Sequence, residues 1–530
     1  MTTIRRLFLY LASFIGMSMT LVGAFALINL IVEQGFDAFR GFLVSSSAMA
    51  LALLVIGGAV WRFYWRTVQR EALAVPEERA SGIRKLYLYG TMTLGLLGVL
   101  LLLQQVLSEF FVRLLVTGLS GYKPWTLLLI AAVLGLDWRW HDRVVLGDKA
   151  ANAAGMRAAD LERGYRFILS YFGILNATNG LSLFLSGLLS HLGGRAPSLF
   201  TTFDTGGHWL QTLIPPLMQV LVSAFAIGWF WLPSQKAAAL GDEAERTSRA
   251  RSWLIHLILL SATISALGGA QLLLADVLRR LLTGFPRDLL VLTINGPLAS
   301  LVVGGLLLVY FFRYVRPTLP SPRLSEYILA GAALFITVLG LQTLLTALLQ
   351  TLGGQGARIE TITAAVLPPL LVGGGVWRWR WARIEADVSG AEGNAARSSL
   401  WRKVYLYFFQ LVGLVMTLIG ATPILQSIIA AILGQPLSGN LFMLLSTPLA
   451  FLLTGSGLMI YMLQLVGSDA RLGALSVEET VRQTLGDATP TWAIAAVAGF
   501  VLGPVFLVVV LAVLGPTISN IFSSIVNSIR

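Results

Sequence analysis

Long apolar runs separated by short polar segments make up most of this chain. The runs lie near residues 7–32, 43–63, 86–108, 124–138, 165–190, 209–231, 253–278, 289–312, 327–351, 361–377, 404–433, 440–465 and 491–515. Most reach the roughly 20 residues that an α-helix needs to cross the hydrocarbon core of a bilayer, although 124–138 is short and 361–377 is marginal. The pattern predicts an all-α integral membrane protein with about 13 transmembrane helices (12–13). The first run exceeds the roughly 7–15 apolar residues of a signal peptide, so it predicts an uncleaved first helix.

The apolar runs repeat in pairs. Three of them open with nearly the same residues, Arg5-Arg6-Leu-Phe-Leu-Tyr10, Arg84-Lys85-Leu-Tyr-Leu-Tyr89 and Arg402-Lys403-Val-Tyr-Leu-Tyr407. The same register places six aromatic residues in one repeat position, namely Tyr10, Tyr89, Phe167, His256, Tyr327 and Tyr407. Because every unit starts on the same side, the pattern predicts six parallel two-helix repeats.

Grouping these repeats in pairs predicts four domains along the chain. Residues 1–150, 151–320 and 321–470 are expected to form three four-helix membrane blocks. Residues 471–530 are expected to form a cytoplasmic linker helix, a final transmembrane helix and an outer amphipathic tail.

Tryptophan and arginine close several of the even-numbered helices, and we name these short segments the collars. Aromatic rings favour the depth of the lipid headgroups, and arginine side chains extend from there toward water and phosphate. Alternate residues of a helix lie about 200° apart, so the tryptophans of one collar spread around the helix as a girdle. The sequence therefore predicts membrane-interface anchors at Trp61, Arg62, Trp65, Arg66, Trp138, Arg139, Trp140, Trp377, Arg378, Trp379, Arg380 and Trp381.

The placement of charge predicts the orientation in the membrane. Only 12% of the residues are charged, against about 25% in soluble domains. When the segments between helices are assigned alternately to two sides, 29 of the 38 Lys and Arg residues fall on the side of the N-terminus. The excess predicts a cytoplasmic N-terminus and, after an odd number of helices, an outer C-terminus in the cell inner (plasma) membrane. It also accounts for the net charge of +12 without nucleic acid as a partner.

The side chains that usually carry out catalysis are sparse. The chain has no cysteine, and its four histidines form no pair at metal-binding helical spacing. Acidic residues occur at the ends of the predicted helices and not at their centres, which argues against a proton relay. We therefore expect no catalytic, cofactor-binding or metal-binding residue and no enzyme activity.

Amide side chains inside the apolar runs are the remaining polar feature. Gln104, Gln271 and Gln342 share one repeat position, and Asn29 and Gln426 share another. Unpaired amides are costly in hydrocarbon, so these residues should face other helices or water. Interhelical hydrogen bonding and the lining of a solute path are both consistent with this pattern.

The Arg-x-x-Tyr-Leu-Tyr opening, the Trp-Arg-Trp closing and the four-helix blocks resemble a bacterial family of multi-pass membrane proteins. That family is catalogued only as a domain of unknown function, in which the blocks occur singly or in tandem. The resemblance covers about residues 1–470. It implies a polytopic inner-membrane protein and supplies no activity and no site residue.

Three functions remain as hypotheses. The first is a non-catalytic scaffold or accessory subunit of a membrane complex, whose partners are the lipid bilayer and other membrane subunits. The second is a transporter or channel for a neutral or lipid-like solute. The third, a membrane-embedded enzyme, is the weakest, because no convergent set of acid, base, nucleophile or metal ligands is visible.

Overall fold

The computed structural model describes residues 3–35, 44–120, 123–150, 156–192, 209–283, 287–319, 323–354, 359–389, 393–433 and 441–471. Within these ranges the ordered elements are all helical. The helices are α1 (Thr3–Gln34), α2 (Val44–Ala74), α3 (Pro76–Arg79), α4 (Gly82–Val112), α5 (Trp125–Ala150), α6 (Met156–Leu192), α7 (Trp209–Ala226), α8 (Leu232–Ala239), α9 (Glu243–Arg246), α10 (Arg249–Thr283), α11 (Arg287–Tyr310), α12 (Arg323–Leu352), α13 (Ile359–Ser389), α14 (Gly393–Ser398), α15 (Leu400–Ile432) and α16 (Leu441–Arg471).

Ten helices in the described part of the chain are long and apolar enough to cross a membrane. They begin at residues 4, 46, 82, 160, 209, 249, 294, 323, 400 and 444. The prediction of an all-α protein is therefore confirmed for the described residues, and the ten helices support a multi-pass membrane protein, whereas the count of 13 is not confirmed. The short run 124–138 and the marginal run 361–377 lie in α5 and α13, which continue as helices through their collars. The predicted run 491–515, the linker helix and the outer tail lie outside the described residues.

Consecutive helices pack against each other, as the two-helix repeat requires. The pairs α1 with α2, α4 with α5, α6 with α7 and α10 with α11 are in contact. In the described chain, π-helical turns follow directly after α4, α7 and α11, at Arg113–Thr117, Ile227–Trp231 and Phe311–Val315.

Glycine allows several of these pairs to approach closely. A Cβ atom on Gly23 would lie 2.5 Å from the backbone nitrogen of Leu54, and one on Gly269 would lie 2.5 Å from that of Leu301. Gly420 approaches Leu452 in the same way. Each of these glycines lies 13 residues after the aromatic residue at the shared repeat position of its repeat. The same position in the repeat therefore allows the close approach of the two helices in three repeats.

The contacts divide the chain into two compact units. The first comprises Met1–Arg383 and Met416–Thr454, and the second comprises Ile384–Val415 and Gly455–Arg530, of which Arg471 is the last described residue. In the first unit a buried aromatic and aliphatic cluster contains Tyr10, Trp65, Tyr87, Tyr89 and Tyr165. The boundaries of the three four-helix blocks remain a prediction.

Candidate functional site

One repeat position holds a fully buried arginine in three of the six units. It lies five residues before the repeat aromatic and is occupied by Arg84, Arg251 and Arg402, which are at most 1% exposed. An unpaired guanidinium is costly to bury, so its partners decide whether the group stabilises the fold. The three sites differ in those partners.

Arg84 binds a carboxylate from the end of α5. Its Nε donates to Asp148 Oδ2 at 2.9 Å, and its Nη2 donates to Asp148 Oδ1 at 3.2 Å and to Gln69 Oε1 at 2.9 Å. Nη1 donates to the Tyr10 hydroxyl at 3.3 Å, and the neighbouring Lys85 ammonium lies 3.0 Å from Asp148 Oδ2. This network ties α1, α2, α4 and α5 together at one end of the helices.

Arg402 has the same arrangement of partners inside the second of the two compact units. Its Nε donates to Asp469 Oδ2 at 2.6 Å and its Nη2 donates to Asp469 Oδ1 at 3.2 Å. Nη2 also donates to Glu385 Oε1 at 3.0 Å. Glu385 takes the place that Gln69 holds beside Arg84, so this arginine faces two carboxylates.

Arg251 contacts neutral partners instead. Its Nη2 donates to Gln235 Oε1 at 2.6 Å and to Thr318 Oγ1 at 2.7 Å, and its Nη1 donates to the Thr318 carbonyl at 3.4 Å. Its Nε is buried and has no hydrogen-bond partner. Thr318 therefore occupies the place of Asp148 and Asp469, and among the residues that the structure describes no carboxylate contacts the buried Arg251 cation.

A further ion pair, between Arg6 and Glu78, links α1 to the short helix α3. Arg6 Nε donates to Glu78 Oε2 at 2.8 Å, and the two side chains form a two-pronged ion pair. Glu78 is 2% exposed. The hydrogen bonds from Arg6 hold the pKa of the Glu78 carboxyl below its ordinary value of 4.5.

The collar tryptophans differ in exposure. Trp65 and Trp381 are buried, at 7% and 5% exposure, whereas Trp379 is 49% exposed. The others, which are partly buried, are Trp61, Trp138, Trp140 and Trp377. The first two collars meet, since the Trp65 and Trp140 ring centroids are 4.9 Å apart. Interfacial anchoring remains a prediction, and Trp379 presents the largest exposed ring for it.

Most of the collar arginines are exposed, as anchors should be. Arg62, Arg66, Arg139 and Arg378 are exposed. Arg380 is the exception at 9% exposure, and its Nη1 donates to Glu326 Oε2 at 2.9 Å. The predicted collar thus contains both solvated side chains and one that lies inside the protein.

The predicted amide positions have different surroundings. Gln104 Oε1 accepts a hydrogen bond from Asn176 Nδ2 at 2.9 Å, and Asn176 Oδ1 accepts one from Gln219 Nε2 at 2.8 Å. The Asn176 amide also donates to Ser223 Oγ at 2.8 Å. Gln104 is therefore part of a network of amide hydrogen bonds between α4, α6 and α7.

The remaining amides do not join this network. Gln342 Nε2 donates to Thr346 Oγ1 on its own helix at 3.1 Å, whereas Gln271 Oε1 is buried without a hydrogen-bond partner. Asn29 and Gln426 are exposed on the protein surface. A shared repeat position therefore does not give Gln104, Gln271 and Gln342 a shared environment.

A half-open cleft of about 490 Å³ lies among α4, α5, α6 and the segment from Trp229 to α9. In its wall, Glu162 accepts a hydrogen bond from the Tyr89 hydroxyl at 3.2 Å and lies 2.7 Å from Lys149 Nζ. The Trp138 indole donates to the Tyr165 hydroxyl at 3.1 Å in its wall. The cleft is lined by Tyr89, Met92, Trp138, Asp142, Val145, Leu146, Lys149, Glu162, Tyr165, Arg166, Trp229, Phe230, Pro233, Ser234, Ala237, Asp242 and Glu245.

The sequence prediction missed the buried arginines. It assigned Arg84 and Arg402 to the excess of basic residues on one side of the membrane. A signal was present, because each has an aspartate 64 or 67 residues later near the end of the next helix. In the described part of the chain, no group of three His, Asp or Glu side chains is placed to hold a metal ion.

Comparison with protein families gives three matches to one family, described as Domain of unknown function (DUF5671). The matched residues are 6–136, 163–306 and 323–457. Together they cover more than half of the chain, and they follow one another as tandem copies. Comparisons with curated proteins and with solved structures give no match.

Proposed function

The chain belongs to the Domain of unknown function (DUF5671) family, and on that premise we propose that it is a non-catalytic scaffold or accessory subunit of a membrane complex. The family adds no chemistry of its own, so the proposal depends on what the polar groups of this chain contact. A scaffold needs stable helix packing and an exposed surface, and it needs no reactive group.

The amide network supports this proposal most directly. Hydrogen bonds join Gln104, Asn176, Gln219 and Ser223 between three helices, as expected for polar groups that hold helices together in hydrocarbon. The carboxylates around Arg84 and Arg402 are likewise engaged with arginine. Polar groups bound in this way stabilise a scaffold and are not available to a moving solute.

The scaffold proposal is tested by native electrophoresis and quantitative mass spectrometry of membranes dissolved in a mild detergent. We expect the chain, at its natural abundance, to migrate with a second membrane polypeptide in a fixed stoichiometric ratio. Migration only as the chain with its detergent micelle, at several detergent concentrations, would contradict the proposal.

The alternative is a transporter or channel for a neutral or lipid-like solute. The cleft of about 490 Å³ favours it, because its wall combines aromatic rings with a few charged groups. The buried Oε1 of Gln271 also lacks a hydrogen-bond partner and could accept one from a solute.

Cysteine accessibility separates the two functions, since the native chain contains no cysteine. Single variants Gln104→Cys, Gln271→Cys and Gln342→Cys are treated with a water-soluble thiol reagent in open membranes. A scaffold predicts that all three stay unlabelled while the exposed control Glu77→Cys is labelled. Labelling of all three at the rate of the control would establish a wet path and favour transport.

We also propose that the N-terminus faces the cytoplasm of a bacterial cell and that the protein resides in the inner membrane. The excess of Lys and Arg on one side supports this orientation. A reporter that is active only in the cytoplasm should be silent when it is fused after Arg530, because an odd number of crossings places the C-terminus outside. An active reporter would show that the number of crossings is even.

A further inference from the structure

Three arginines and two aromatic rings alternate in a stack between the ends of α11 and α13, and we name this stack the arginine–aromatic ladder. Its order is Arg383, Trp379, Arg380, Phe312 and Arg316. The guanidinium carbon of Arg383 lies 4.5 Å from the Trp379 ring centroid, and that of Arg380 lies 4.1 Å from the same ring. Across Phe312, the corresponding distances from Arg380 and Arg316 are 5.4 and 5.5 Å. Stacking over a ring leaves the in-plane N–H groups of a guanidinium available for hydrogen bonds.

The ladder carries more positive than negative charge. The carboxylate of Glu326 bridges two of its members, with Oε1 lying 2.9 Å from Arg316 Nη2 and Oε2 lying 2.9 Å from Arg380 Nη1. Among the described residues, this is the one carboxylate in contact with the three guanidinium groups of the ladder, and it contacts Arg316 and Arg380. The exposed Arg313 and Arg378 add positive charge beside the ladder.

One hydrogen-bond donor of the ladder is unused. Arg380 is 91% buried, at 9% exposure, and its Nε has no hydrogen-bond partner. Arg383 is exposed, and the Arg316 side chain is 35% exposed. A phosphate group is the ligand that best matches several planar guanidinium groups with excess positive charge.

The helices that lead to the ladder favour a lipid as the source of that phosphate. Leu306 and Val309 precede it on α11 and are 61% and 62% exposed, and Leu371 precedes it on α13 and is 55% exposed. Exposed apolar side chains beside a basic group provide places for both the acyl chains and the headgroup of a phospholipid. The π-helical turn Phe311–Val315 lies between the apolar part of α11 and Arg316, and such turns often occur at functional sites.

We propose that the arginine–aromatic ladder binds the phosphate of an anionic phospholipid at the end of the helices assigned to the cytoplasm. The exposed Arg383 contacts the headgroup, and Arg380 and the partly exposed Arg316 add positive charge beside it. The exposed Trp379 ring holds the Arg380 and Arg383 guanidinium planes in position. This site selects lipids by headgroup charge, whereas a general interfacial anchor does not.

Native mass spectrometry of the full chain tests the site with phosphatidylglycerol and phosphatidylcholine as probes. We expect wild type to prefer phosphatidylglycerol by about tenfold or more, because the arginines of the ladder attract its negatively charged headgroup. Arg316→Gln combined with Arg383→Gln should abolish most of this preference. The matched control Arg62→Gln combined with Arg66→Gln removes the same charge from exposed collar positions and should leave the preference within about twofold.

Further variants and competitors distinguish a built site from general attraction. Trp379→Leu keeps every charge and should still lower the preference severalfold, because the stacking plane is lost. An equal loss in the Arg62/Arg66 control would overturn the proposal, and so would an unchanged preference in Trp379→Leu. Displacement of phosphatidylglycerol by millimolar inorganic phosphate would identify a soluble phosphate as the ligand and overturn the lipid assignment. Circular dichroism and thermal unfolding of each variant confirm that the fold is kept.

Discussion

Arg84 and Asp148 lie 64 residues apart in the chain and form a two-pronged ion pair that is almost completely buried. Arg402 and Asp469 form the same pair 67 residues apart, with Nε and Oδ2 separated by 2.6 Å. In both cases the arginine opens the first helix of a repeat and the aspartate ends the second. The ion pair therefore closes the two-helix unit at its open end, opposite the connection between the helices.

Removing one partner of the first pair should destabilise the protein strongly. We expect Asp148→Asn to lower the free energy of unfolding by about 3–5 kcal/mol, because Arg84 and Lys85 would then be buried without a carboxylate. The measurement is reversible unfolding in mixed detergent micelles. The exposed pair Arg139 and Asp142 provides the control, since Asp142→Asn should cost about 1 kcal/mol or less. Equal effects of the two substitutions would contradict a special role for the buried pair.

The site around Arg251 should gain stability when a carboxylate is added, which is the opposite of the effect of removing Asp148. Thr318→Asp places a carboxylate beside Arg251, whose Nη2 is 2.7 Å from Thr318 Oγ1. An ion pair between a guanidinium and a carboxylate is stronger than the present hydrogen bond from the guanidinium to a neutral hydroxyl, so we expect a gain of about 1–2 kcal/mol in the free energy of unfolding. The double variant Thr318→Asp with Arg251→Met should lose this gain. A destabilised Thr318→Asp single variant would show that Arg251 is already compensated.

Close helix packing at Gly269 should be sensitive to a single methyl group. A Cβ there would lie 2.5 Å from the Leu301 nitrogen and 2.6 Å from the Pro297 carbonyl oxygen. Gly269→Ala should therefore destabilise the protein by about 1–3 kcal/mol through forced separation of α10 and α11. The neighbouring Gly268→Ala is the matched control, because a Cβ on Gly268 meets no atom within 4 Å. Thermal unfolding in detergent compares the two, and a similar loss in both would rule out packing as the cause.

The Arg6–Glu78 pair should make stability depend on acidic pH. Because the pKa of Glu78 is lower in the folded protein than its ordinary value of 4.5, its contribution is present above pH 4.5. This contribution is lost as the pH falls through the folded pKa, where the carboxylate becomes protonated. The stability difference between wild type and Glu78→Gln should therefore be largest near pH 7 and shrink below about pH 4. A difference that is constant from pH 7 to pH 3 would contradict the pairing.

Much of the architecture was predictable because the membrane imposes simple local rules. Apolar runs of about 20 residues must become helices, since no water is present to bind an exposed backbone. This rule identified the ten candidate crossing helices of the described chain. This rule could not decide whether 124–138 and 361–377 cross the membrane, because a helix with a short apolar run can be placed at more than one depth in the bilayer.

The amides show where a sequence register stops being informative. Gln104, Gln271 and Gln342 share one position, yet Gln104 joins an interhelical network while Gln342 bonds within its own helix. A register fixes the depth and direction of a side chain relative to its own helix. The neighbouring helix supplies the partner, and that neighbour differs from one repeat to the next.

The sequence by itself supplied the membrane class and the two-helix repeat as predictions, together with the positions of the arginines, because hydrophobic length and periodicity are properties of a local segment. Only the tertiary structure decided what those arginines contact. Arg84 contacts Asp148, Arg251 contacts Thr318, and Arg380 lies over the rings of Trp379 and Phe312. These contacts join residues more than 50 positions apart, or depend on how two helix ends meet, and a buried charge is defined by its surroundings rather than by its residue type.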